Sequence, residues 1–400
     1  MKNYKIVRIS PMGHMLRRQL YVDYPELKTL PYDKQCKEIL NGFYAYSGSF
    51  SQAMKQLGND CSELIYDLEC LQKQWAKENN IFLEEGKHWQ QKIIAEQLKK
   101  IQPDVVYIQG ISTIDSIYIE SIREKLPNLK LIVQYSGFPT GWDRIDPNAL
   151  LLVGTPYMVK QANDNRLDAH LVYHSFDPSI LQNINEDNHK RYDFTFVGSS
   201  GFGFGDGHKS RYWDLLKLSY NTPLELWIDE RELLRKECDV NPFKIALLED
   251  NYYNDLNYQV QDYPTAPCKL SYLLTPEKKH APVHGLDYFQ LLNDSNMTFH
   301  RHTDQAFGFS GAMRLFEATG VGACLITDHT PNISELYDVD SEIVTYTNLD
   351  ECVEKVNYLL ENPKEMRAIA KAGQQKTLTQ HTIKHRCEHI HELILSRLKQ

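Results

Sequence analysis

The chain has 400 residues, of which 42% are apolar, 11% aromatic and 24% charged, a composition that excludes a disordered protein and, at about 150 residues per domain, points to two domains. Lys and Arg number 44 against 53 Asp and Glu, a net charge of −9, which speaks against wholesale nucleic-acid binding. No apolar run approaches the roughly 18 residues of a membrane span and the N-terminus carries no signal-peptide core, so a cytoplasmic location is expected, with eight cysteines that form no C-x-x-C and read as reduced thiols.

Residues 4–9 read as an opening strand, 50–57 as a helix and 61–66 as a strand. Trp89, Ile93, Ile94, Leu98 and Ile101 keep a helical period. Val105, Val106, Tyr107 and Ile108 read as a buried strand closed by Gly110, and 131–133 and 150–153 as two more. A polar stretch from Asp177 to Arg191 reads as a linker. The alternation then restarts with a strand at 194–197 closed by Gly198, a helix at 208–218 and a strand at 224–228. Residues 229–282, broken by Pro242, Pro264, Pro267, Pro276 and Pro282, show no clear order of elements. Beyond them come a helix at 286–292, a strand at 297–300, a helix at 309–319 and strands at 323–327 and 342–346. Leu349, Val353, Val356 and Leu360 mark the next helix, Asn362-Pro363 ends it, and two further helices follow.

Continuous apolar runs between amphipathic helices are the pattern of parallel sheets covered on both faces. The expected fold is α/β, with two doubly wound Rossmann-like domains at 1–178 and 192–382, a linker at 179–191 and a terminal helix at 383–400. Ligands of such sheets bind beyond the carboxyl ends of the strands, here in a cleft between the two lobes.

The segment 300–317, HRHTDQAFGFSGAMRLFE, is the most informative. A strand ends in two His and an Arg. Gly308 and Gly311 flank a helix start, where backbone N–H groups and the helix dipole favour an anion. Arg314 and Glu317 stand three apart on one helical side. A diphosphate at the helix start and ribose hydroxyls at Glu317 fit this spacing; so does an i,i+3 surface ion pair beside a glycine turn.

Residues 283–386 resemble the C-terminal half of GT-B glycosyltransferases, and more narrowly the CgeB-like family of spore-maturation-related proteins. The stretches that carry the resemblance are HGLDYF at 284–289, MRLFEATGVGA at 313–323, LITD at 325–328 with Pro331-Asn332 and Glu335-Leu336, EIV at 342–344 and HTIKHR at 381–386. DFTFVGS at 193–199 resembles the first strand of the same domain. The N-terminal half matches loosely, at 103–107 and 175–178.

The resemblance implies a GT-B glycosyltransferase that moves a sugar from a nucleotide-diphosphate sugar to an acceptor hydroxyl of a glycan, glycoconjugate or protein held by the N-terminal domain. It places Glu317 on the donor ribose, 308–311 at the diphosphate, and Gly198 and Ser199 facing the phosphates. Val283, His284 and Gly285 fall at a strand end where the base packs, and Thr327, Asp328 and Asn332 near the donor sugar. The terminal helix would cross back to the N-terminal lobe. The second Glu of many retaining members, eight residues before the ribose Glu, is here Phe309; Asp304 and His302 are the nearest polar groups.

For the chemistry, Arg301, Arg314 and the helix N-terminus are expected to stabilise the leaving diphosphate without a metal or cofactor; Lys209 and Arg211 are further candidates or a solvated face. Ser10-Pro11-Met12-Gly13-His14 follows the first strand and resembles the Pro-x-x-Gly-His of inverting enzymes, where the His takes the acceptor proton; Asp115 would orient it. Asp143 beside Arg144 and near Asp146 is another acidic loop. Asp338-Val339-Asp340 reads as a surface turn. His300 and His302 lack a third metal ligand at a recognisable spacing, and His381, His385 and His389 fall on one helical face. The glycine-rich 198–207 reads as a loop over the donor, not as a phosphate-binding P-loop. An epimerase or hydrolase of the same fold, or a non-catalytic nucleotide-sugar or glycan binder, shares these features. A peripheral membrane contact stays open, and nucleic acid is not expected.

Overall fold

The structure is a computed structural model that describes residues 3–12, 20–42, 48–83, 89–110, 116–137, 141–185, 190–201, 209–230, 268–303 and 306–399. The chain forms two units. One comprises Met1–Gly154, Met158–Val172 and Ile383–Gln400; the other Thr155–Tyr157 and Tyr173–Thr382.

The first unit is built on six parallel strands, β1 (Lys5–Ser10), β2 (Asp60–Ile65), β3 (Val105–Gln109), β4 (Leu131–Ser136), β5 (Leu150–Val153) and β6 (Ala169–Leu171), in the order β2-β1-β3-β4-β5-β6. Between them run α1 (Tyr32–Asn41), α2 (Ser49–Gln56), α3 (Glu69–Glu78), α4 (Trp89–Ile101), α5 (Ser116–Lys125) and α6 (Pro156–Asp164). Strands alternate their side chains between faces. Ile6, Val105, Tyr107, Leu131 and Val133 therefore meet α2 on one face. Val7, Ile9, Val106, Ile108 and Ile132 meet α4 and α5 on the other. The strand order reverses between β1 and β3, which makes their carboxyl ends the topological switch point of this sheet.

The second unit repeats the plan with β7 (Tyr192–Ser199), β8 (Leu224–Asp229), β9 (Lys279–His280), β10 (Ser295–His300), β11 (Cys324–Asp328) and β12 (Val344–Tyr346). Their order is β12-β11-β10-β7-β8-β9, all parallel, and it reverses between β7 and β10. The helices are α7 (Lys209–Asn221), α8 (Gly285–Asn293), α9 (Met313–Gly320), α10 (Leu349–Glu361) and α11 (Pro363–Gln380). Leu215 and Leu218 of α7, Val356 and Leu359 of α10 and Ile369 of α11 bury themselves on Phe194, Phe299, Ile326 and Val344 of the sheet. Pro363 opens α11 at a position where its missing N–H costs no helical bond.

The last helix, α12 (Ile383–Leu398), packs in the first unit, where Cys387, Ile390 and Ile394 cover Tyr4, Phe50 and Met54. His391 on it accepts from or donates to Tyr4 Oη at 2.8 Å and lies 3.2 Å from Asn59 Nδ2. Residues 173–191, expected around the linker, count with the second unit, where Phe176 is fully buried and bridges to Thr382.

Three sequence expectations need correction. The helix expected at 309–319 begins only at Met313, with Ala312 as its cap residue. Val283, His284 and Gly285 do not end a strand: β9 stops at His280, and His284 caps α8 with Gly285 as its first residue. His381 does not share a helix with His385 and His389: it closes α11, buried, with Nε2 3.0 Å from the Leu336 carbonyl. The sequence reading also passed over α1, α3, α5, α6, β6 and β9.

Candidate functional site

The switch point of the second sheet gathers most of the residues singled out in the sequence. The end of β7 carries Gly198, at φ +148° a conformation that L side chains rarely adopt, and Ser199. Arg314 reaches back from α9 and donates from Nη2 to the Val197 carbonyl at 2.7 Å. Arg211 of α7 donates to Ser199 Oγ at 3.4 Å and to the Arg301 carbonyl at 3.2 Å. The ends of β7 and β10 are thus joined by a guanidinium.

Arg301 itself is engaged elsewhere. Its Nη1 lies 2.7 Å from the fully buried Asp214 carboxylate, and its Nε donates to Ser210 Oγ at 3.0 Å. That ion pair ties α7 to the loop after β10. Among the described residues, Arg314 and Arg211 send their side chains to the end of β7.

His300 and His302 follow next, with ring centroids 4.5 Å apart and rings nearly perpendicular. His300 Nδ1 meets Thr327 Oγ1 at 2.9 Å. Asp328 Oδ1 accepts from the His302 backbone N–H at 2.9 Å and pairs with His302 Nδ1 at 2.7 Å. Burial opposes ionisation of Asp328, but the His302 imidazole and its hydrogen bonds override it and hold the carboxyl well below its usual range. Burial, then the neighbouring His302, keeps His300 well below the ordinary histidine value. His302 is 5% exposed, and its Nε2 has no hydrogen-bond partner among the described residues. Asp328 supplies what sequence spacing did not reveal. With His300 and His302 it offers three ligand atoms within 4.8 Å of one another, a donor set that a transition metal accepts.

The loop into α9 is braced from the loop after β11. Asn332, 2% exposed, accepts from the Ser310 N–H at 2.8 Å and donates to the Ser310 carbonyl at 2.9 Å. Ser310 Oγ also meets Thr330 Oγ1 at 2.6 Å. Both backbone groups of Ser310 are therefore unavailable to a helical ladder, which is why α9 starts later than its apolar pattern. Gly308 stands at φ +76°, and the loop's Phe307 stacks on Tyr157 at 4.6 Å. Gly311 lies in this loop, before the helix.

Glu317 is the fifth residue of α9 and part of a closed cluster. Tyr288 of α8 donates its hydroxyl to Glu317 Oε2 at 2.5 Å. Arg314 Nε stands 3.7 Å from the same oxygen, and its guanidinium lies 4.8 Å above the Tyr288 ring. Burial raises the Glu317 carboxyl above its usual value, while Arg314 and the Tyr288 hydrogen bond pull it back. Tyr288 falls in the HGLDYF stretch, but nothing in the sequence pairs it with Glu317, which sits on another helix.

A cavity of about 470 Å³ opens at the carboxyl ends of β8 and β9, lined among others by Asp229, Glu230, Lys269, Tyr272, Lys279 and Pro282. Glu230 shapes it by accepting from the Leu270 N–H at 2.6 Å and from Ser200 Oγ at 3.1 Å. Its lining includes Pro282, the residue before Val283 in the chain. The sequence left this region unordered.

His14, Asp115 and Asp304 lie outside the described residues, as do the side chains of Lys209 and Asp143 and the glycine-rich segment beyond 201. In the sequence, His14 comes after β1 and Asp115 after β3, the two strands between which the order of the first sheet reverses. Asp146 is held by Arg123 at 2.5 Å. Asp340 of the D-x-D pairs with Lys355 at 3.4 Å, in a turn that ends with the Val339–Ile343 bridge.

The glycosyl transferase-like family model matches residues 252–392. No curated protein matches the sequence. Among solved structures, a glycosyltransferase from Rickettsia africae superposes with a TM-score of 0.57 at 11% identity, covering 100% of both chains. HepE from Anabaena, solved with UDP-glucose, gives 0.54 at 10% identity, covering 98% of this chain and 100% of that one. Sucrose-phosphate synthase from Thermosynechococcus elongatus gives 0.55 at 10% identity over 99% of each.

The fold is that of the GT-B glycosyltransferases, and the family match over residues 252–392 supports a glycosyltransferase of the group 1-like kind without confirming the narrower CgeB-like group. No described helix is long and apolar enough to cross a membrane.

Proposed function

We propose that the protein transfers a sugar from a nucleotide-diphosphate sugar, bound at the switch point of the second sheet, to an acceptor hydroxyl of a glycan, glycoconjugate or protein. The observation that carries this reading is the convergence of Gly198, Ser199, Arg314 and Glu317 on the ends of β7 and β10, beside His302 and Asp328. Open α/β sheets bind nucleotides at such a point. In this reading Glu317 takes the ribose hydroxyls and the base lies by Val283, His284 and Gly285, beside the cavity.

Arg314, Arg211 and the loop 308–311 stabilise the departing diphosphate by fixed positive charge and N–H groups, so no metal is required. Thr327, Asp328 and His302 face the sugar. His14 takes the acceptor proton, with Asp115 orienting its ring; these two roles rest on the sequence pattern. Arg301 supports the site through Asp214. The place of action is the cytoplasm.

The test is a panel of nucleotide sugars assayed for released nucleoside diphosphate with EDTA present, with candidate acceptors added in turn. Release with one donor is expected, and Glu317→Ala is expected to weaken that donor more than tenfold. Hydrogen bonds to a buried carboxylate are worth about 1.5–3 kcal/mol each. Unchanged donor affinity in the variant overturns the ribose assignment. Activity that needs a divalent ion overturns the metal-free mechanism and redirects attention to His300, His302 and Asp328.

A further inference from the structure

Tyr288 and Glu317 sit on different helices, α8 and α9, and share the shortest side-chain hydrogen bond of the donor region, 2.5 Å from Oη to Oε2. Among the described residues, Glu317 Oε1 has no such partner. One turn away stands a competitor. Arg314 Nε is 3.7 Å from Oε2, is buried, and has no hydrogen-bond acceptor among the described residues. Arg314 cannot move off easily, because its Nη2 is bonded to the Val197 carbonyl at the end of β7. Its guanidinium rests on the Tyr288 ring, 4.8 Å from the centroid.

A carboxylate in this position has two choices. It can close on Arg314 and satisfy the orphaned Nε–H, or it can stay open toward a ligand. A tight i,i+3 pair with Arg314 would consume the oxygens that a vicinal diol needs, since a diol donates two O–H bonds and is best met by both carboxylate oxygens. The Tyr288 hydroxyl is bonded to Oε2 and leaves Oε1 available among the described residues.

We infer that Tyr288 is a positioning residue of the donor site: its hydroxyl holds the Glu317 carboxylate off Arg314 and presents it to both ribose hydroxyls, so that the site distinguishes ribonucleotides from 2′-deoxyribonucleotides. The inference rests on the donor reading given above. The same hydroxyl and Arg314 are the two groups that favour the ionised form of Glu317 against burial. Loss of the Tyr288 hydroxyl therefore moves the acid limb of donor binding to higher pH.

The experiment measures, by calorimetry, the binding of UDP, GDP and ADP and of their 2′-deoxy counterparts to wild type, Tyr288→Phe, Glu317→Gln and the double variant, with thermal melting as the check on folding. Wild type is expected to prefer the best ribonucleotide over its deoxy form by tenfold or more. Tyr288→Phe keeps the ring under Arg314, and is expected to weaken the ribonucleotide about tenfold, barely change the deoxy form, and leave kcat at saturating donor within twofold. In the Glu317→Gln background the same change should do nothing further, because the two residues act through one bond. Adding Arg314→Lys, which removes the competing Nε–H, should restore part of the preference. Equal weakening of both nucleotides, an unchanged ratio, or the same loss in the Glu317→Gln background would mean an ordinary packing bond and overturn the inference. If wild type binds none of the ribonucleotides, the donor reading itself falls.

Discussion

Asp214 shows how a single residue prepares this site without touching a ligand. Its carboxylate is 1% exposed and has Arg301 at 2.7 Å. A buried ion pair adds little net stability while intact, yet removing one partner leaves the other charge uncompensated, at a cost of about 3–5 kcal/mol. Asp214→Ala should lower the unfolding free energy by about 3 kcal/mol in a denaturant titration, and a loss under 1 kcal/mol would show that Arg301 finds water instead. Arg301 looked like a phosphate ligand in the sequence because it follows a strand end. Nothing local announces that its partner lies 87 residues earlier, on α7. The same limit hid Tyr288. It applies in reverse to Asn332, which sequence placed near the donor sugar and which braces both backbone groups of Ser310.

At the scale of elements, most strands were legible because a parallel strand covered on both faces needs consecutive apolar residues, as in Leu150-Leu151-Leu152-Val153, buried throughout. Helix α9 was legible in kind and displaced in place. Its apolar phase extends back through Phe309, but Phe307 and Phe309 stack on Tyr157, and Ser310 is held by Asn332. Helix α11 carries a device that pattern cannot reveal. Gly373 faces Glu342 so closely that a Cβ there would collide with the Glu342 backbone carbonyl. The packing of α11 against the chain leading into β12 depends on that approach. Gly373→Ala should therefore destabilise the second unit by roughly 1–3 kcal/mol, although Ala is the better helix former; a variant that melts at or above the wild-type temperature would show that the Glu342 backbone moves aside without cost.

At the scale of the molecule, the chain builds the same doubly wound plan twice and then returns its last helix, α12, to the first unit. That return is anchored by a buried polar group. His391 is 5% exposed, and burial, partly offset by Glu392, lowers its pKa below the usual value near 6.5. The folded state therefore keeps the imidazole neutral where the unfolded chain would protonate it. The stability tied to this group is complete above about pH 6.5 and is lost as pH falls through that value toward the folded pKa. Amide protection factors in α12 and in the facing residues around Asn59 should fall between pH 7 and 5.5, and His391→Gln should flatten that dependence. An equal pH slope in the variant would assign it to other histidines, such as His389 on the same helix, whose value burial also lowers.

Sequence by itself determined the class of this protein. Composition excluded disorder and bulk nucleic-acid binding, apolar runs separated by amphipathic stretches required parallel sheets, and the ordered motifs from 284 to 386 pointed to a GT-B glycosyltransferase. Composition and period along the chain carried the first two, and the third rests on resemblance to a known family over those motifs. Tertiary structure decided which charges are free to act. It brought Asp328 to His302 across two strands, Tyr288 to Glu317 across two helices and Asp214 on a helix to Arg301 at a strand end. Each of these pairs depends on distance through space in a desolvated interior, where one hydrogen bond or one countercharge sets the state of a group, and that quantity has no counterpart in the order of residues.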